Sequence, residues 1–217
     1  MILFSLVYLS YVSEVKMQFR KSCLDESISL QKKMIQSEKL LFALNPLSTY
    51  LQTNLTYKEV LLKTAGINPY LAIELEAEII IIKEQQALLD KKQKAIIATA
   101  KAYILSSQGS TLKKLTQNAY ISQDKWAPYL KKIFRIGLNS QSQFAVKAES
   151  SGIAPNYGLE QDYKRLQRVA YNWHLQLLTK NENQNILKSN NDFAMSCGTM
   201  ANKSGNTWSI EIIKDKY

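Results

Sequence analysis

Few residues in this chain could do covalent or acid–base chemistry. It holds two cysteines, Cys23 and Cys197, and one histidine, His174. That set is too small for a Cys/His zinc cluster, and no cofactor or metal is expected. The cysteines admit two readings. In an oxidising compartment they can form one disulfide stitching an N-terminal helix to a C-terminal sheet, closing a loop of about 175 residues and adding about a few kcal/mol. In a reducing compartment they are two buried thiols, which behave as small apolar residues. His174 lies between Trp173 and Leu175 in an alternating run, on the face opposite theirs. A catalytic histidine needs a nucleophile or an orienting acid, and the sequence specifies neither. A partly solvated strand histidine is the simpler reading.

No GxSxG, HExxH, P-loop or GxGxxG pattern occurs. Paired-carboxylate hydrolases leave no short signature, so a lysozyme-like activity would show only as a deep pocket with two acids or with His174. The basic residues Lys131, Lys132, Arg135, Lys164, Arg165 and Arg168, with Lys113 and Lys114, are interleaved with Tyr120, Trp126, Tyr129 and Tyr163. Gathered on one surface, such residues bind phosphate backbones, anionic lipid or acidic polymers. Most lysine clusters are simply a solvated face. No helix-turn-helix, RRM or zinc-finger pattern accompanies this one, so no specific nucleic acid is expected. Asn54-Leu55-Thr56 and Asn202-Lys203-Ser204 match the glycosylation sequon, which is common by chance.

These residues sit in a chain of 217 residues with 46% apolar content and a net charge of +10, enough for a sizeable core. Disordered, collagen-like and disulfide-dense scaffolds are excluded. The two halves differ. Residues 1–108 carry 13 basic and 10 acidic groups, and residues 109–217 carry 15 and 8. No glycine or proline precedes Pro46, and none falls between Tyr70 and Gln108.

The breaker-poor half reads as helix. Residues 1–12 are almost wholly apolar, and from Glu14 onward Val15, Phe19, Cys23, Leu30 and Met34 recur at near-helical spacing. One helix is expected from about residue 2 to 44, ended by Asn45-Pro46. At 1.5 Å per residue it would be roughly 60 Å long, which calls for a partner, a membrane or a filament. A shorter helix is expected over about 47–64. A third, capped by Asn68 with Pro69 in its first turn, is expected over about 69–106. The run Ile79–Ile82 alone could pass for a strand, but helix formers flank it. An antiparallel helical hairpin follows.

The second half reads as mixed. One or two short helices are expected over 111–132. The period then becomes two: Tyr163, Val169, Tyr171, Trp173, Leu175 and Leu177 occupy alternate positions with Lys164, Arg168, Asn172, His174 and Gln176 between, and Trp208, Ile210 and Ile212 repeat the pattern. Phe144/Val146 and Phe193/Met195/Cys197 are shorter strand candidates, with loops at 181–191 and 202–206. An antiparallel meander of about three to five strands is expected. The fold class is α+β: a long N-terminal helix (1–45), a helical hairpin (46–108), and a head with a small antiparallel sheet (109–217).

The N-terminal apolar run is about 13–15 residues, short of the ~20 of a spanning helix. It lacks the basic n-region and small-residue cleavage site of a signal peptide. It reads as an uncleaved anchor or a buried core helix; the polar, amphipathic continuation favours an anchor. Lys16, Arg20 and Lys21 flank its C-terminal side, a flank that the positive-inside rule would keep cytoplasmic.

An apolar segment, MILFSLVYLSYVSEVKMQFRKSCLDESISLQ, running into a long amphipathic helix and followed by strands at 163–178 and 207–213, resembles the type IV pilin-like proteins, most of all the Tad-type minor pilins and pseudopilins. The sequence does not show that family's processing Gly or the Glu a few residues into the mature chain; position 5 is Ser5 and the first acid is Glu14. The resemblance implies a non-enzymatic structural protein, membrane-anchored with an extracytoplasmic head or part of an extracellular filament. Leu3, Phe4, Leu6, Val7, Leu9 and Val12 would anchor it and pack against other pilin-like subunits or further copies, with Cys23–Cys197 as a brace. The alternative is a soluble basic binding protein whose first helix is core.

Overall fold

The computed structural model describes residues 2–64, 68–126, 134–140, 143–160, 169–177, 192–205 and 207–213. Within them the fold is α+β. Helix α1 spans Ile2–Phe42, α2 spans Asn45–Thr64 and α3 spans Pro69–Trp126. Strands follow at Phe134–Ser140 (β1), Val146–Ala148 (β2), Tyr157–Leu159 (β3), Val169–Leu177 (β4), Asp192–Ser204 (β5) and Thr207–Ile212 (β6). β1, β4, β5 and β6 form one antiparallel sheet in that order, and β2 pairs with β3 in a second. The chain divides into two compact units: Met1–Lys33, Tyr103–Gln143 and Lys164–Tyr217, and Met34–Ala102 with Phe144–Tyr163. Both long helices contribute to each.

Three expectations change. First, α3 does not end near residue 106; it continues through Gly109 to Trp126. Ile104, Ser107 and Thr111 are all buried, and one glycine, costing about 1 kcal/mol in helix propensity, does not outweigh a continuous buried face. Second, the sheet has an edge strand, β1, beyond the strands expected from alternation, and the short hairpin β2–β3 forms a separate sheet. Third, residues 202–204, read as loop, complete the 13-residue β5. Ser204 pairs with Thr207, and Gly205, which follows Ser204, takes φ 57°. That left-handed conformation is what a tight hairpin requires of a residue without Cβ. On β6, Trp208 and Ile210 are half-buried as the alternation predicts, while Ile212 is 53% exposed.

In the unit containing α2, that helix and the first part of α3 run antiparallel, linked by Lys58–Glu78 at 2.5 Å and Lys83–Glu59 at 3.6 Å. Asn68 Oδ1 accepts from the Tyr70 and Leu71 amides at 3.2 and 3.5 Å, the cap that the sequence implied. The isoleucine run divides by helical geometry: Ile79 and Ile82 are buried, Ile80 and Ile81 exposed. Leu51, Ile82, Leu89 and Ala154 form the core, with Leu44 and Leu55 against it.

Candidate functional site

In the unit holding the four-stranded sheet, the site begins with the inner face of α1. Phe19, Cys23, Ser27 and Leu30 are 3%, 0%, 0% and 2% exposed. Their spacing of three and four sets them on one side of the helix. On β5, Cys197, Thr199 and Ala201 are buried at alternate positions, so they share one face of the sheet. Cys23 and Cys197 are joined by a disulfide, with Cα atoms 6.3 Å apart and a sequence separation of 174. Beside it, Ser27 Oγ lies 3.8 Å from Cys197 Sγ, and Thr199 Oγ1 donates to the Ser27 carbonyl at 3.3 Å. Cys, Ser, Thr and Ala are small, so the helix and strand backbones approach closely. By the chain-entropy argument, a cross-link over so long a loop stabilises by up to about 5 kcal/mol.

Further C-terminal contacts hold α1 against α3 in the same unit. The Lys114 ammonium pairs with the Glu26 carboxylate, and Lys33 lies 5.0 Å from the centroid of the Tyr103 ring. Lys114, counted in the basic cluster, is thus engaged in an ion pair. Of the rest of that cluster, Arg135 lies in β1, paired in register with Gln176. Lys131, Lys132, Lys164, Arg165 and Arg168 lie outside the described residues, as do the expected loop at 181–191 and the strand start at 163–168. His174 falls in β4 between Gly137 of β1 and Ala194 of β5. Leu3, Phe4, Leu6, Val7, Leu9 and Val12 all fall within α1.

The other unit holds a polar clamp for which no local sequence pattern prepares. Side chains of α2 and α3 reach the loop between β2 and β3 and the first residue of β3. Ser48 Oγ donates to the Ala154 carbonyl at 2.5 Å, and Gln52 Nε2 donates to the same oxygen at 2.9 Å. Gln93 Nε2 donates to the Pro155 carbonyl at 2.9 Å. Asn45 bonds both backbone polar groups of Tyr157. Within the loop, Ser150 Oγ accepts from the Asn156 amide at 2.8 Å. Buried carbonyls without partners are costly, and these helical amides and hydroxyls supply them. Burial raises the pKa of the Tyr157 phenol, and Asp90 nearby adds to the rise while Lys94 opposes it.

The clamp and the disulfide are positioning devices: they hold segments distant in sequence and offer no nucleophile beside a base. Among the described residues, no group of three or more His, Cys, Asp or Glu is placed to hold a metal ion. Among the same residues, no helix is long and apolar enough to cross a membrane. No known protein family matches the chain, and no curated protein or solved structure is similar to it.

Proposed function

We propose that the chain is a structural, non-enzymatic protein of pilin-like type, which assembles through the apolar opening of its first helix in a membrane or in a filament core. The observation that carries this reading is the continuity of α1. One helix of 41 residues begins in an almost wholly apolar stretch and runs on, without a break, into residues covalently fixed to β5 by Cys23–Cys197. A helix that only served a core would not need an apolar prefix of this kind. Assembly would bring together Leu3, Phe4, Leu6, Val7, Leu9 and Val12 from several copies or from other pilin-like subunits, with side-chain packing as the driving term. The disulfide makes the same helix an integral part of its own sheet, so load on the helix is borne by a covalent bond. A disulfide of this kind also fits an extracytoplasmic or extracellular setting.

The test is expression with and without residues 1–20, followed by fractionation. The full chain is expected with membranes or in high-mass assemblies, and the shortened chain soluble, folded and disulfide-bonded. A full chain that is monomeric without detergent, together with a shortened chain that unfolds, would make α1 a core helix and overturn the proposal.

A further inference from the structure

Helix α3 has a second face that the core does not use. Its inner side buries Leu75, Ile79, Ile82, Gln86, Leu89 and Gln93. On the opposite side, positions 73, 77, 80, 84, 88, 91, 95, 98 and 102 are all exposed. Their mean spacing of about 3.6 residues matches the helical repeat, so this face runs straight along the helix. A surface helix normally turns a polar side to water. Here only Glu84 and Lys91 are charged, while Ile73, Ile80 and Leu88 are 66%, 58% and 65% exposed.

We propose that this face is a self-association seam, in which α3 of two copies pairs antiparallel about a twofold axis beside Leu88. The distribution of size argues for it. The large residues Ile73 and Ile80 precede the axis, and the small residues Ala95, Ala98 and Ala102 follow it. Antiparallel pairing sets Ile80 opposite Ala95 of the second copy, Ile73 opposite Ala102 and Ala77 opposite Ala98, so both isoleucines meet alanines and the helices can close. Parallel pairing would set each isoleucine on isoleucine and all four alanines of the face on alanine, so bulk would collide at one end and leave a gap at the other. Charge gives the same answer. The antiparallel register places Glu84 opposite Lys91 of the second copy, and symmetry repeats the pair. Parallel pairing would oppose like charges. Among the described residues, neither Glu84 nor Lys91 takes part in an ion pair within its own chain. The seam lies within Met34–Ala102 of one compact unit and makes no use of the apolar N-terminal segment.

The test is sedimentation equilibrium of the full chain in a mild non-ionic detergent that covers the N-terminal helix. The wild-type chain is expected to dimerise. Glu84→Lys and Lys91→Glu are each expected to weaken the dimer by roughly tenfold or more, and the double reversal to restore it, as charge pairs at interfaces do. Ile80→Lys is expected to abolish dimerisation with an unchanged helical circular dichroism spectrum. A monomeric wild-type chain, single reversals without effect, or a double reversal that restores nothing would each overturn the proposal. So would binding of the wild-type chain to vesicles containing anionic lipid that is lost in Lys91→Glu alone, which would assign the face to a membrane surface. Deletion of residues 1–20 leaves this dimer intact even where it abolishes assembly through α1, so the two proposals stand or fall separately.

Discussion

Asn45 holds Tyr157 by both ends of one residue's backbone: its Nδ2 donates to the Tyr157 carbonyl at 2.8 Å, and the Tyr157 amide donates to its Oδ1 at 3.0 Å. The side chain thus completes a two-bond pair of the kind that neighbouring strands make, from the first residue of α2 across 112 residues of sequence. The start of α2 and the start of β3 are fixed in one contact.

Asn45→Ala removes both bonds and leaves two partly buried backbone groups without their partners. Urea unfolding is expected to show a loss of about 2 kcal/mol at unchanged m-value. Asn45→Asp keeps an acceptor for the amide but turns a carboxylate on the Tyr157 carbonyl, so it is expected to be no better than alanine at neutral pH. It should recover only in acid, where the carboxyl can donate.

Gly109 tests the continuity of α3. A Cβ at this position meets nothing within 4 Å, and the residue is an exposed helical position. Gly109→Ala is therefore expected to stabilise by about 0.5–1 kcal/mol through helix propensity. A destabilised alanine variant in thermal unfolding would mean that the helix breaks there.

Cys23→Ser and Cys197→Ser should each lower stability by on the order of 3–5 kcal/mol in oxidising buffer, with little difference from wild type once reductant is added. The native chain should gain the mass of two hydrogens on reduction. If it carries that mass before reduction, the bridge is absent from the isolated protein.

Alkali should loosen the unit that contains α2. Burial raises the Tyr157 pKa above its ordinary 10.0, so the unfolded chain ionises this phenol first. Its contribution is complete below pH 10 and lost as pH climbs through the higher folded value. Lys58, raised above 10.5 by its hydrogen bond to Glu78, acts in the same direction but lies at the surface and adds little. In Tyr157→Phe the alkaline fall in stability should begin at higher pH; an unchanged pH profile would assign the fall to other groups.

Much of the architecture could be read from local pattern. The Asn68-Pro69 start of α3, the alternation in β4 and the near-helical spacing of Phe19, Cys23 and Leu30 each reflect a rule confined to a few neighbours in sequence. The run FRIGLNS also carried a readable signal, with Phe134, Ile136 and Leu138 alternating with Arg135, Gly137 and Asn139. Gly137 obscured it. The extent of α3 was hidden for a different reason: Gly109 is a breaker by propensity, and only the burial of Ile104, Ser107 and Thr111 overrules it. The clamp had no local signal at all. Asn45, Ser48, Gln52 and Gln93 are ordinary polar residues in a sequence, and their carbonyl partners lie 62 to 112 positions away. The disulfide was visible as one of two alternatives, because two cysteines leave a single pairing to consider.

The bond between Cys23 and Cys197 also makes the chain a ring with two tails. All of Met34–Ala102 and Phe144–Tyr163 lies inside the ring, and the apolar opening of α1 lies in the N-terminal tail. A protease that cuts once inside the ring opens it and releases nothing; the nicked molecule gains only the mass of one water and separates into two fragments once it is reduced. A single cut between residues 13 and 22 instead severs the apolar segment from everything else. If the chain is held by its apolar segment as proposed, single cuts within the ring would leave its body attached, and the stretch of α1 before Cys23 would be where a single cleavage sets the rest of the protein loose.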